Sequence, residues 1–390
     1  MDFDTQFDRR GRGSAKWDAM QGLFGVDPAQ GLPMWVADMD FPAAPFVVEA
    51  ANAVSAGRDL GYFIGFDKYY EALGWWTRTR FGWDIEAEWC ATTAGLGNGI
   101  ALTLQAFTDP GDHVCYFTPV YHEFRNKVER AGRVPTELPL FEEDNRYVMD
   151  LNAAEAALTG REKVMLLCSP HNPAGRVWTR DELRAVADFC VKHDLLLVSD
   201  EIHCDLTHPG FTHYPMALVC PDVMDRLIMM NSASKTFNLA GLRTGNVIIP
   251  DKTLRDRFLA KQRSLDLSPN LYGVRLTQAA YSPEGAAWVD GLQAYLAGNA
   301  DVFNTAINAI PGLSAMRMES TYLAWVDFSR TGMTEAELDE RIGKVAGIAP
   351  SPGIPFGTGG ALHRRFNLGT QRARVEDAVE RLQRAFSDLQ

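Results

Sequence analysis

The sequence holds little cysteine, and none of it falls in a metal-binding spacing. Cys90, Cys115, Cys168, Cys190, Cys204 and Cys220 are scattered, with no CxxC pair. This excludes a zinc-ribbon or dithiol redox reading, and an HExxH pattern is missing as well. A long apolar run is also lacking: stretches such as Val164–Cys168 and Leu195–Val198 fall far short of the ~20 residues that span a bilayer. The first eighteen residues are polar and carry no apolar secretion core. Basic charge is scarce. Thirty-eight lysines and arginines face fifty acidic residues, a net charge of −12, which argues against a nucleic-acid surface. Repeats and low-complexity linkers are absent. These absences point to a cytoplasmic protein with reduced thiols and no nucleic-acid, membrane or metal partner.

What remains is an ordinary globular composition, 46% hydrophobic and 23% charged over 390 residues, long enough for more than one structural domain. Residues 1–47 read as an extended arm, rich in Gly, Asp and Pro, that packs with a C-terminal domain. Residues 48–285 alternate short apolar strands with amphipathic helices, the pattern of an α/β domain with a mostly parallel sheet. Val164–Leu167, Leu195–Val198 and Leu227–Met230 are continuous apolar runs, as strands buried on both faces require. Thr179 and Glu182 predict a capped helix start, with Leu183, Val186, Ala187 and Cys190 as its apolar stripe. Residues 286–390 read as a smaller α/β domain. Thr334 and Glu337 open one of its helices, and Val375, Ala378, Val379, Leu382, Ala385, Phe386 and Leu389 form the stripe of the last.

Each of the three strands runs directly into a polar cluster: Ser169–Arg176, Ser199–His203 and Asn231–Thr236. Ligands of open α/β sheets bind beyond the carboxyl ends of the strands, so three such clusters predict one crevice. A lysine beside cations in such a crevice is an activated amine. An aspartate there can keep a ring nitrogen protonated. The glycine-rich Ala94–Gly99 is suited to a phosphate at a helix start.

Asn172-Pro173-x-Gly175, Asp200-Glu201, Ser232–Arg243 and Arg365–Gly369, in that order, resemble the motif set of fold-type I, class I/II pyridoxal-5′-phosphate (PLP) enzymes, nearly end to end. The resemblance implies the aspartate aminotransferase fold, a large sheet domain plus a small one. It implies that Lys235 binds the cofactor and moves protons at the substrate Cα. It implies that Asp200 faces the pyridine nitrogen, Asn172 the ring hydroxyl, and Tyr121 stacks on the ring and serves in catalysis. Gly95, Leu96, Gly97, Ser232, Ser234 and Arg243 would hold the phosphate, joined by Tyr62 from the partner of a homodimer with a shared active site. Arg243 has a competing reading as a surface salt bridge. Arg365 would fork onto the α-carboxylate of an amino acid substrate, with Arg364 as the rival, and Ala37 would border that substrate with Tyr62.

Two features narrow the branch. Histidine, His203, stands three residues after Asp200 where most class I aminotransferases carry tyrosine, and Met34–Pro42 is a distinctive segment. Both resemble the MalY/PatB-type cystathionine β-lyases, which implies cleavage of L-cystathionine or other cysteine S-conjugates to a thiol, pyruvate and ammonia. The resemblance also counts His203 among the cofactor-binding residues, with a bland reading as a packed histidine beside it. An aminotransferase of the same fold is the alternative function, and a non-enzymatic binding protein is the third.

Overall fold

The computed structural model describes residues 1–389. Seven strands form the larger sheet in the spatial order 90–93, 245–248, 227–231, 196–200, 162–168, 113–118 and 134–139. Only Gly245–Ile248 runs antiparallel to its neighbours. The other pairings are parallel, and helices cover both faces. The strands are buried on both sides, which is why they read as continuous apolar runs. They extend further than those runs. Ser199 and Asp200 still belong to the strand Leu196–Asp200, where Asp200 pairs in register with Cys168 and Met230.

The helix Arg180–Lys192 starts with the expected capping box, and Glu335–Asp339 has the second one, on Thr334 and Glu337. The last helix is shorter than its stripe suggests. It spans Arg372–Ala385, and Phe386 leaves helical geometry while staying fully buried. A smaller sheet runs in the order 32–34, 348–352, 363–367, 323–327 and 314–315. Leu32–Met34 of the arm supplies its edge strand, parallel to Ile348–Pro352.

One helix, Pro283–Asn308, crosses the boundary expected at residue 286. Ser282 caps it by accepting from the Gly285 N–H. Its 26 residues span about 39 Å. Trp288, Val289, Leu292 and Leu296 pack into the core of the large domain. Ala300, Phe303 and Ile307 pack into that of the small one. The arm is divided in the same way: Leu32 and Met34 join the small core, while Phe3, Ala37, Met39 and Phe41 join the large.

A buried ion pair fastens the arm. The Lys16 ammonium, fully buried, donates to Asp40 Oδ2 at 2.8 Å and to the Asp38 carbonyl at 2.9 Å, and the Trp17 indole N–H donates to Asp40 Oδ1. Desolvating two charges is repaid only while both remain. Asp40→Ala strands the ammonium and is expected to cost about 3–5 kcal/mol, read as a lower denaturation midpoint. Asp40→Asn should recover part of that loss, and an unchanged midpoint in the alanine variant would contradict this account.

Between these anchors, residues Trp35 to Asp40 make almost no ladder bonds. Side chains from elsewhere take their carbonyls instead: Arg365 at Trp35, Asn367 at Val36, Lys235 at Ala37, Lys16 and Asn367 at Asp38, Arg9 and Asn238 at Met39, and Gln371 at Asp40. This ribbon forms one wall of the site.

Candidate active site

Five parallel strands of the large sheet end on the same side, and each is followed within a few residues by a predicted site residue. Gly95 follows Cys90–Thr93, Tyr121 follows His113–Thr118, and Asn172 follows Glu162–Cys168. Asp200 closes Leu196–Asp200, and Lys235 lies in the short helix after Leu227–Asn231. All five line one cavity of about 680 Å³. Ala37, Leu96, Gly97, His203, Ser234, Arg243 and Arg365 line it as well.

Two predicted residues are not on its wall. Ser232 is turned inward: its hydroxyl lies 2.6 Å from the Thr244 carbonyl and accepts from the Ser234 N–H. It therefore caps the helix that carries Lys235. Tyr62 is fully exposed on its own chain, beside exposed Leu60 and Ile64.

Gly95 takes φ +89°, a conformation that side chains rarely adopt, and so turns the chain directly into the helix Leu96–Phe107. The first N–H groups of that helix have no helical partner and face the cavity end, a setting that favours an anion. Arg243 stands exposed at the rim without an ion pair among the described residues, against its reading as a salt bridge.

Asp200 accepts a hydrogen bond from the Ile202 N–H at 3.2 Å. Burial, with Glu201 adding to it, pushes its carboxyl up to about 7, against the Ile202 bond and the Lys235 charge. Glu201 itself points away, fixed by Ser199, His213 and the Met216 N–H. Lys235 Nζ donates to the Ala37 carbonyl at 2.6 Å. Burial and the Arg365 charge bring its amine down to about 8, although Asp38 and Asp200 pull the other way. One carboxyl is thus short of a cation, and one amine gives up its proton far more readily than an ordinary lysine.

Arg365 is buried, and Phe356 stacks under its guanidinium at 4.9 Å. It donates to Asn172 Oδ1 at 3.0 Å, to the Trp35 carbonyl at 2.8 Å and to Ser351 Oγ at 3.2 Å, while its Nε has no partner. Burial lowers it to about 10, so it stays a cation at neutral pH. Its rival Arg364 lies on the other face of the strand, paired with Glu335 and Asp339. Because Asn172 Oδ1 is taken by Arg365, its amide N–H₂ is left for the cavity. The Tyr121 N–H donates to the Asn172 carbonyl, tying the two together, and burial pushes the Tyr121 phenol up to about 12. His203 is fully buried, and burial with the Lys235 and Arg365 charges drops it to about 3, so it is a neutral imidazole.

These groups fit PLP. A desolvated carboxylate suits a pyridinium N–H, a depressed amine suits an aldehyde, and a glycine turn at a helix start with Ser234 and Arg243 suits a phosphate. The Arg365 guanidinium, a buried cation on the cavity wall, suits a carboxylate. The cavity also holds side chains that the sequence reading missed. Ser351 comes from a distant strand with no local signal, whereas His122, Glu123 and Lys127 follow Tyr121 directly and repeat at helical spacing.

Among the described residues no helix is long and apolar enough to cross a membrane, and no cluster of His, Cys, Asp and Glu gathers to hold a metal. The family model for aminotransferase class I and II matches residues 34–382. Cystathionine beta-lyase PatB of Bacillus subtilis is 37% identical over 390 residues, covering 99% of this chain and 100% of its own. MalY of Escherichia coli is 31% identical with 97% of each chain covered. The crystal structure of cystalysin from Treponema denticola, which contains PLP, matches at TM-score 0.95 and 33% identity, over 100% of this chain and 99% of that one.

Proposed function

The chain belongs to the class I and II aminotransferase family, and on that basis we propose that it is a PLP-dependent carbon–sulfur β-lyase. Its substrates are L-cystathionine or other cysteine S-conjugates, and its products are a thiol, pyruvate and ammonia. The observation that carries this reading is the convergence of Lys235, Asp200, Asn172 and Arg365 in one cavity, in a chain alike over its full length to a named cystathionine beta-lyase.

When bound, PLP supplies an electrophilic carbon and a ring that takes up the electron pair released at the substrate Cα. The residues have separable tasks. Asp200 holds the ring nitrogen's proton, Tyr121 stacks on the ring face, and Asn172 donates to the ring oxygen. Gly95, Leu96, Gly97, Ser234 and Arg243 hold the phosphate. Arg365 fixes the α-carboxylate, so that the Cα proton lies towards Lys235, which removes it. The departing thiolate would then gain the proton that Lys235 has taken, and water would convert the remaining three-carbon enamine to pyruvate and ammonia. His203 stays uncharged, as a packed neighbour of Tyr322. An aminotransferase is the second reading, favoured by the family itself. Purified holoenzyme given L-cystathionine without a keto acid is expected to release pyruvate. Rapid amino transfer that depends on a keto acid, without pyruvate, would overturn the lyase reading.

We also read the enzyme as a cytoplasmic homodimer with Tyr62 reaching the partner's site. The support is that this tyrosine projects fully from its own chain, together with Leu60 and Ile64, away from its own cavity. Mixing two inactive variants, Lys235→Ala and Tyr62→Ala, is then expected to restore activity in the hybrid dimers, because one of the two sites in each is intact. Hybrids as inactive as their parents would place Tyr62 outside the partner's site.

A further inference from the structure

The inner half of the cavity is accounted for by cofactor and α-carboxylate. Its outer wall carries Glu123 and Lys127, which neither group uses. Glu123 and Lys127 are one turn apart on the helix Glu123–Arg130, joined at 2.8 Å and each about a quarter exposed. Asn126 fixes the other Glu123 oxygen, also at 2.8 Å. The next pair on that helix, Arg125 and Glu129, is about half exposed and is not on the cavity wall.

We propose that Glu123 and Lys127 form a subsite for the distal end of the substrate, selecting a sulfur substituent that itself ends in an amino acid. The inference rests on the lyase reading and names its substrate class. The Glu123 carboxylate accepts from the distal ammonium, and Lys127 donates to the distal carboxylate. The wall thus offers both charges, the complement of a zwitterion, where an alkyl substituent would leave the same groups unmet. Lys127 also approaches the glycine turn. A side-chain carbon built on Gly97 would lie 3.3 Å from its Cε, so the lysine forms the border between the phosphate end and this subsite. His122 stands between Tyr121 and Phe356, as an aromatic wall for the thioether chain.

The test compares L-cystathionine with S-methyl-L-cysteine in wild type, Glu123→Gln and Lys127→Met, all as holoenzyme with the cofactor absorbance checked. Each substitution is expected to lower kcat/KM for L-cystathionine about tenfold, as loss of one hydrogen bond to a charged group does, and to leave S-methyl-L-cysteine unchanged. Equal losses on both substrates would make Lys127 and Glu123 phosphate or fold supports and overturn the subsite. No loss on either would return them to an ordinary helical pair and overturn it equally. If wild type releases no pyruvate from any substrate, the lyase reading fails separately. L-Cystathionine affinity, followed through the cofactor absorbance in the same variants, then decides the subsite by the same tenfold criterion.

Discussion

Lys235→Ala is expected to lower turnover at least ~1,000-fold while leaving the fold intact, because the change removes both the amine that holds the cofactor and the base that moves the Cα proton. The side chain borders a cavity and makes one hydrogen bond, to the Ala37 carbonyl, so its truncation leaves no packed void. Lys235→Arg should not rescue, since a guanidinium stays protonated. The amine's position near 8 adds a second readout. Only the neutral amine attacks an aldehyde, so capture of PLP by the apoprotein should quicken as pH rises through about 8 and level off above it. Borohydride treatment of the holoprotein should fix the cofactor on Lys235. Near-wild-type turnover in the alanine variant, or label on another residue, would sink the mechanism.

Asp200→Ala is expected to weaken cofactor binding roughly 100- to 4,000-fold, the equivalent of about 3–5 kcal/mol for breaking a buried pair. Turnover of the residual holoenzyme should fall too, because the ring nitrogen loses its proton partner. The reason lies in burial. Held alone, this carboxyl is pushed up to about 7, so a cation beside it is worth more than at the surface. The sign follows: a carboxyl raised above its ordinary value of 3.8 favours the folded apoprotein most at low pH, and that contribution fades as pH climbs through about 7. A bound ring cation reverses it by keeping the carboxylate ionised. The stabilisation conferred by PLP should therefore grow between pH 5 and pH 8 in the wild type more than in Asp200→Asn. Equal growth in both would remove Asp200 from the cofactor's nitrogen.

Much of this was legible in the sequence because the signals are local or sterically forced. The capping boxes at Thr179 and Thr334 are complete within four residues each. The three inner strands are apolar because both of their faces are covered. Polar residues at their ends had to converge, since parallel strands put all their carboxyl ends on one side. The sequence misled where periodicity outlasts geometry. Phe386 continues an apolar stripe because it is buried, not because it is helical. Asp200 reads as loop by its charge, yet the ladder extends through it. Ser232 reads as a ligand, but a serine two residues before a helical N–H is equally a cap. Backbone carbonyls carry no sequence label, so the contacts of Lys235 with Ala37 and of Arg365 with Trp35 could not be read from residue types. Ser351 stayed hidden for a related reason, since only tertiary pairing brings its strand beside the arm.

The ribbon from Trp35 to Asp40 has a further consequence for how the enzyme is born. Its shape is not encoded in its own residues but borrowed from donors scattered from Arg9 to Gln371. It can settle only after both sheets exist, which makes competence the last property the chain acquires. A polypeptide halted on the ribosome before Arg365 would already own its lysine and its aspartate, yet lack the donors that give their wall its shape.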